Sequence, residues 1–463
     1  MAHSTVRMLR AFAIGESVEA RRNSSFEDCD VLYYEAKVTA VHRLLPPVTS
    51  TILDGNDDDG HSATHYDLAF EDDSSQALVP RAWVMANSRR VVAERGHARV
   101  ITGHADLHHR GGGGRQDVLL MVFTECPTLY QSAVAVVVTS PSSSPSHALE
   151  EGIQLDHTVL PFEQHQCFSL IVALAGGKGR AAVVSAAADA TVSTPAAVGS
   201  PGVSGGGGVS PCPSLSLRPL SLAVLGGGGC ALPTALRAAF GSALDIDVVE
   251  LDADVAAMAR AHFGATDSLH FRLCEGEAAA FLRGTPDATL DAVVLDVASS
   301  GADAHADNDE DGIVLPPKEF VSEPFLLGTL ARCLAPGGAC VVNVIGGRAA
   351  LRRVAANFQR CFSGGAAVLC TDPNYLFWGF KGDGGWGVIG GGDVDHYQGG
   401  GGGAPTPSEV LAAAAAYPAL EALCPYAFSL VRDTEKHRRA HDLMGWFTVD
   451  EFIAMLADPA VIV

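Results

Sequence analysis

A run of apolar residues, Leu220-Ser221-Leu222-Ala223-Val224-Leu225, empties directly into Gly226-Gly227-Gly228-Gly229-Cys230, and a helix-forming stretch from Ala231 to Phe240 begins at once. Few folds accept that order. The run is short and apolar enough for a strand, the glycines allow tight turning and close approach of backbone to a ligand, and the helix returns the chain for another strand. Glycine alone says little in a chain that has 50 of them. Context separates this run from 205–208 and 399–403, which have no strand before them and no helix after.

Three further strands extend the unit, each delivering an acid. Asp245 to Glu250 ends on a carboxylate about twenty residues beyond the glycines, the place from which an acid takes both hydroxyls of a ribose. Leu269 to Cys274 is followed by Glu275-Gly276-Glu277, where Glu275 is placed to accept from an adenine exocyclic amine. Leu290 to Leu295 brings Asp296 to the same carboxyl edge, where open α/β sheets bind ligands. Gly226, Gly228, Gly229, Glu250, Glu275 and Asp296 are therefore the expected cofactor residues of an adenosine site.

Downstream come an acidic loop (298–317) with Asp303, Asp307, Asp309, Glu310 and Asp311, and a helix from Glu319 to Leu334. The turn Ala335-Pro336-Gly337-Gly338, a fifth strand Ala339 to Ile345, a helix Arg348 to Phe362 and two strands, Ala366 to Thr371 and Tyr375 to Lys381, follow. A β-hairpin finishing an otherwise parallel sheet is the topology of the S-adenosylmethionine-dependent methyltransferases, whereas a dinucleotide fold would repeat its βαβ pattern. The fold class expected is α/β, a Rossmann-like seven-stranded methyltransferase sheet ending in a hairpin, preceded by a small all-β module.

Upstream, residues 10–97 read as short strands with turn-rich breaks. They resemble the Tudor-like, SH3-type barrels in the Gly15 to Ala20 opening, the Tyr33-Tyr34 pair and Tyr66 to Asp72. The resemblance implies Tyr34, Tyr66 and Phe70 as an aromatic cage for a methylated cation, set against the plainer reading of three core-filling rings. Residues 98–178 hold a hairpin (Gln116 to Phe123 with Val134 to Val138) and a helix from Leu160 to Leu174 leading into the catalytic domain. In that helix His165 reads as structural rather than as a ligand. Residues 179–217 are an Ala/Gly/Ser/Pro insertion with too little apolar content to order itself, 218–463 form the methyltransferase core, 382–403 are a Gly-rich insertion, and Ser408 to Val463 return to an apolar helical pattern that includes Trp446 and Phe447.

Charge and cysteine use bound the partners. A formal charge of -22 disfavours nucleic acid, whose affinity rests on clustered Lys and Arg, and favours a basic protein. The 11 cysteines include no Cys-x-x-Cys pair, so neither a zinc framework nor a disulfide scaffold is expected. With no sustained apolar segment near Met1 and none of membrane-spanning length, the expectation is a cytoplasmic protein without a membrane partner.

The core resembles the spermidine-synthase-like methyltransferases, most of all the branch that methylates translation elongation factor 1-alpha. Four pieces carry the likeness: Leu129-Tyr130-Gln131-Ser132-Ala133; the Gly226 to Pro233 loop; Pro316-Pro317-Lys318-Glu319-Phe320-Val321; and the strand bearing Asn343. The resemblance implies transfer of a methyl group from S-adenosylmethionine to an amine, N-terminal α-amine or lysine, of elongation factor 1-alpha or another basic protein. It also implies Asp296 as the catalytic residue and Asn343 and Pro317 as substrate-binding residues, with no metal. Two departures stand out: the relative's second catalytic half is replaced by the β module, and Ala298 occupies a position where the family carries a second acid. The alternatives are a polyamine synthase and a catalytically dead methyl-mark binding scaffold. Against the first, this chain lacks an acid in the glycine loop and a Ser-Asp-Pro after the fourth strand.

Overall fold

The computed structural model describes residues 17–21, 31–44, 63–70, 75–80, 84–86, 90–107, 114–124, 130–137, 154–175, 218–298, 312–371, 374–382, 403–439 and 444–457. The acidic loop at 303–311 and the insertion at 179–217 lie outside them.

The front of the chain supplies β1 (Ser17–Arg21), β2 (Val31–Leu44), β3 (Ala63–Phe70), β4 (Ser75–Pro80), β5 (Val84–Ala86), β6 (Val91–Arg95), β7 (Ala98–Leu107), β8 (Gly114–Phe123), β9 (Tyr130–Val137) and β10 (Gln154–Asp156). These make one ten-stranded sheet in the order β10-β9-β8-β7-β2-β1-β5, with β3 on β2, β4 on β3 and β6 on β7. All the pairings are antiparallel. Pairing is continuous across residue 97, because Val31 and Leu32 of β2 lie opposite Asp106 and Ala105 of β7. Tyr34 falls on β2 and Tyr66 and Phe70 on β3; the side chains of this proposed cage lie outside the described residues.

The second sheet follows α1 (Glu163–Ser169) and α2 (Ile171–Leu174), which together replace the single expected helix. Its elements are β11 (Leu220–Leu225), α3 (Ala231–Phe240), β12 (Leu244–Glu250), α4 (Ala253–His262), β13 (Phe271–Glu275), α5 (Ala278–Gly284), β14 (Leu290–Leu295), β15 (Ile313–Leu315), β16 (Leu334–Gly346), α6 (Arg348–Cys361), β17 (Ala366–Cys370) and β18 (Tyr375–Phe380). Then come α7 (Pro407–Ala415), α8 (Pro418–Leu423), α9 (Pro425–Arg432), α10 (Thr434–Arg439), β19 (Gly445–Thr448) and α11 (Val449–Ala457). The order is β13-β12-β11-β14-β16-β18-β17-β19, with β15 on β16. The first five strands are parallel, and β18, β17 and β19 pair antiparallel. The seven expected strands and their closing hairpin are present, and β19 extends the sheet by one more.

Alternation along β11 shows why an apolar run belongs here. Leu222 and Val224 enter the core on the face covered by α1, α2, α3 and α9, while Ala223 and Leu225 enter the core under α5, α6 and α11. A strand buried on both faces needs apolar residues at every position rather than every second one. Burying each such Leu or Val is worth about 1.5–3 kcal/mol, so this strand is the centre from which the sheet is fixed.

Two segments differ from expectation. Residues 318–333 form a 3-10 turn (Lys318–Val321), a helical turn (Glu323–Phe325), a π turn (Leu326–Leu330) and a last turn (Ala331–Cys333), not one α-helix. Pro324 cannot donate a backbone N–H, which favours a fresh start there. The stretch around Trp446 and Phe447, expected as helix, is strand β19. Trp446 is buried with its indole N–H donating to Pro405 O at 2.7 Å and its ring against Trp378.

The antiparallel sheet docks on the parallel one through α4. Ala98, Val100, Leu119, Met121 and Val134 share a core with Val255, Met258 and Phe263, and Arg95 pairs with Asp254 at 2.5 Å. That contact brings the start of β9 to the glycine loop. No helix among the described residues is long and apolar enough to cross a membrane.

Candidate active site

The loop after β11 is held by its own neighbours. Gly226 N and Gly227 N both donate to Val249 O, at 2.9 and 3.2 Å, and Cys230 N donates to Gly227 O at 2.8 Å. Gly228 N donates to Glu250 Oε2 at 2.8 Å and Gly229 N to Ser132 Oγ at 2.9 Å. All five amides from Gly226 to Cys230 are thus spent inside the protein. A pyrophosphate held at such a loop needs N–H groups aimed at it, so the loop is built as a wall and not as a phosphate cradle.

Packing dictates the glycines. A Cβ on Gly227 would lie 2.7 Å from Val248 Cγ1, and one on Gly229 2.7 Å from Ser132 Cβ. Gly226 and Gly228 adopt positive φ, +86° and +50°. Cys230 also sits in the left-handed region, at the N-cap of α3. Burial pushes its thiol well above the usual range, leaving an inert protonated side chain.

Glu250 closes β12 and is 9% exposed. Besides Gly228 N, it accepts from Asp252 N through Oε1 at 3.0 Å. Burial raises its carboxyl above the ordinary value, and the N–H groups of Asp252 and Gly228 pull it back. Each oxygen keeps a lone pair for a further donor. Beside it Leu251, 66% exposed, leaves an apolar side chain standing in solvent. Asp252 then caps α4 by accepting from Asp254 N and Val255 N, the usual start of a helix by a short acidic residue.

Glu275 lies directly opposite Glu250 in the β12–β13 register, and Gly276 N donates to Glu250 O at 2.8 Å. Glu275 is exposed and pairs with Arg260 at 2.9 Å. Among the described residues a Cβ on Gly276 would meet nothing within 4 Å, leaving this edge of the rim open to them.

Asp296 lies just beyond β14, its N donating to Leu225 O at 2.8 Å. Its carboxylate accepts from Asn343 Nδ2 at 2.9 Å through Oδ1 and from Gln164 Nε2 at 3.1 Å through Oδ2. Burial lifts this carboxyl above the ordinary range, and the two amide donors partly offset the lift. Asn343 is buried, and its Oδ1 has no hydrogen-bond partner among the described residues. Pro317 precedes the 3-10 turn just past β15, which pairs with the carboxyl end of β16 near Ile345 and Gly346. His165 is buried beside the ring of Phe162, and burial lowers it to about 4, a neutral side chain of the interior.

The three acids named from sequence thus lie at the carboxyl ends of β13, β12 and β14, with β11 and its glycine loop between the last two. Asn343 joins them, while Glu275 is turned to Arg260. Two participants escaped sequence reasoning, Ser132 and Gln164. Ser132 lay within a motif quoted for the family likeness, but nothing in its spacing linked it to a glycine 97 residues away.

A parallel sheet ending in an antiparallel hairpin, with a glycine turn and a buried acid closing the second strand, defines a Rossmann-like methyltransferase fold. The chain is similar to human methyltransferase-like protein 13, solved in complex with SAH, at 18% identity over 57% of this chain and 92% of that one, with a TM-score of 0.37. It is also similar to a probable spermidine synthase from Corynebacterium glutamicum (17% identity, 61% of this chain and 77% of that one, TM-score 0.37). A third likeness is to the spermidine synthase of Thermotoga maritima (10% identity, 63% and 72%, TM-score 0.34). No protein-family model and no curated protein matches the chain.

Proposed function

We propose that this protein is an S-adenosylmethionine-dependent N-methyltransferase acting on an amine of a basic protein, elongation factor 1-alpha being the first candidate. The observation that carries the reading is the rim itself. A buried carboxylate with spare lone pairs, Glu250, stands beside a glycine loop whose amides are all occupied. That chemistry suits a nucleoside without a pyrophosphate. Glu250 would take the ribose hydroxyls, Leu251 and the open edge at Gly276 would border the base, and Asp296 would face the reacting end.

When bound, the sulfonium cofactor supplies an electrophilic methyl carbon: the new N–C bond forms as the S–C bond breaks and its electron pair returns to sulfur. The protein's part is alignment, exclusion of water and presentation of a neutral amine. An α-amine with a pKa near 8 is already about a tenth neutral at pH 7, whereas a lysine near 10.4 is almost wholly charged. Asp296 orients the incoming ammonium by accepting its hydrogen bond, and the proton passes to water. The chain's charge of -22 would draw a basic substrate by long-range steering, so kcat/KM should fall as ionic strength rises. A rate indifferent to salt would count against a basic partner.

Glu250→Ala removes both ribose contacts, each a hydrogen bond to a charged group. Cofactor affinity should weaken by about 10²-fold or more, read by calorimetric titration; unchanged binding would remove Glu250 from the site. The function itself is tested by mass spectrometry of elongation factor 1-alpha from cells with and without the protein. Loss of a methyl mark in the deficient cells is the expected result. Formation of spermidine from putrescine and decarboxylated S-adenosylmethionine would instead establish an aminopropyl transfer, and failure to bind S-adenosylmethionine would leave a scaffold.

A further inference from the structure

Asp296 is held by amides from two different parts of the chain. Asn343 comes from β16, the neighbouring strand of the same sheet. Gln164 comes from α1, outside the sheet and 132 residues earlier. A carboxylate gripped by one donor can still turn about its Cβ–Cγ bond. Gripped at both oxygens by donors on separate elements, it has its plane fixed.

The helix that carries Gln164 is itself anchored. Gln166 donates to Leu160 O at 2.8 Å and accepts from Tyr426 N at 2.9 Å, and Ser169 Oγ donates to His165 O at 2.9 Å. Residues from His165 to Ser169 are all buried. Gln164, half-buried at the start of this helix, turns its amide to Asp296.

We infer that Gln164 is a positioning residue for Asp296, locking the carboxylate plane from outside the sheet and favouring its ionised form. The inference rests on the methyltransferase reading for its catalytic consequence, but not for its physical one. The groups around Asp296 allow a clean test. Its neighbours Gln164 and Asn343 are neutral, and among the described residues no charged side chain shifts its ionisation. His165, next to Gln164, titrates at about 4.

The experiment uses the full chain and the variants Gln164→Met, Asp296→Asn and the double variant. The first readout needs no substrate. Burial raises the folded Asp296 carboxyl above its unfolded value, so its contribution to stability is present below the unfolded pKa and lost as pH rises through the folded one. The melting-temperature difference between the wild type and Asp296→Asn, followed from pH 3 to 9, therefore locates that folded value. With Met at 164 one hydrogen bond to the charged form is gone, and the midpoint should move up by about one pH unit. It should be measured as Gln164→Met against the double variant. A midpoint that stays put overturns the inference.

The second readout is methyl transfer to an amine-bearing protein substrate. Gln164→Met should lower kcat about tenfold or more, leave the KM for S-adenosylmethionine unchanged, and shift the acid limb of the rate profile upward. A shifted melting midpoint with no methyl transfer by the wild type would refute the methyltransferase reading while upholding the positioning role. An unshifted midpoint with normal turnover in Gln164→Met would refute the positioning role alone.

Discussion

Asp296→Asn is expected to give a folded protein that is at least as heat-stable as the wild type at pH 8 and slower in methyl transfer by about 10²-fold or more. The fold should tolerate the change because either Gln164 or Asn343 can turn its amide and present an oxygen to the new NH2 group. Stability should gain because burial holds the native carboxyl above its usual value. The folded state then binds a proton more tightly than the unfolded chain, and the benefit disappears as pH rises through the folded value. An asparagine suffers no such loss, so the gap in melting temperature should open as pH rises from the unfolded carboxyl value through the raised folded one and stay open above it. Differential scanning calorimetry across that range, beside initial rates, measures both halves. Full activity in the variant would deprive Asp296 of its role, and a variant less stable at pH 8 than the wild type would mean the carboxylate is not strained by burial.

Gly226→Ala should be the most damaging single methyl group in the core. The residue sits at φ +86°, and a Cβ there would lie 2.1 Å from Asp296 O and 2.7 Å from its carbonyl carbon. The obstacle is backbone. The Asp296 amide is tied to Leu225 O at 2.8 Å, so it cannot withdraw without breaking the β11–β14 junction. Left-handed strain of about 1–3 kcal/mol and overpacking of about 1–3 kcal/mol add to an expected destabilisation of about 2–6 kcal/mol. Activity should fall with it because the displaced residue is Asp296. Gly276→Ala is the control, since its Cβ would meet none of the described residues within 4 Å and its effect on stability should stay within about 0.5 kcal/mol. Equal urea midpoints for the two variants would show that the glycine loop is far looser than its hydrogen bonds indicate.

The contrast between these two glycines marks where sequence reading succeeds. Gly226 was legible because a buried strand, a turn and a helix must follow one another within a few residues, and only local propensity is needed to see it. Glu250 and Asp296 were legible for the same reason, each being the polar residue at which an apolar run stops. The two tryptophan-bearing strands divide along that line. Tyr375 to Lys381 stood out as a run of apolar and aromatic residues, whereas Gly445–Thr448 is four residues long and becomes a strand only because the edge of β17 is available to it. The segment 318–333 kept its helical character but not its regularity.

Within the site, the amino-acid order by itself determined the sheet's central strands, the turn of glycines and which carboxylates end on the shared rim, since all of these follow from neighbours a few residues apart. Only the folded chain decided what those groups do there. It spent the loop amides on Val249, Glu250 and Ser132, turned Glu275 to Arg260 and closed Gln164 and Asn343 on Asp296. Hydrogen bonds between residues about 15 to 130 positions apart depend on how whole elements pack, and packing leaves no periodic trace along the sequence.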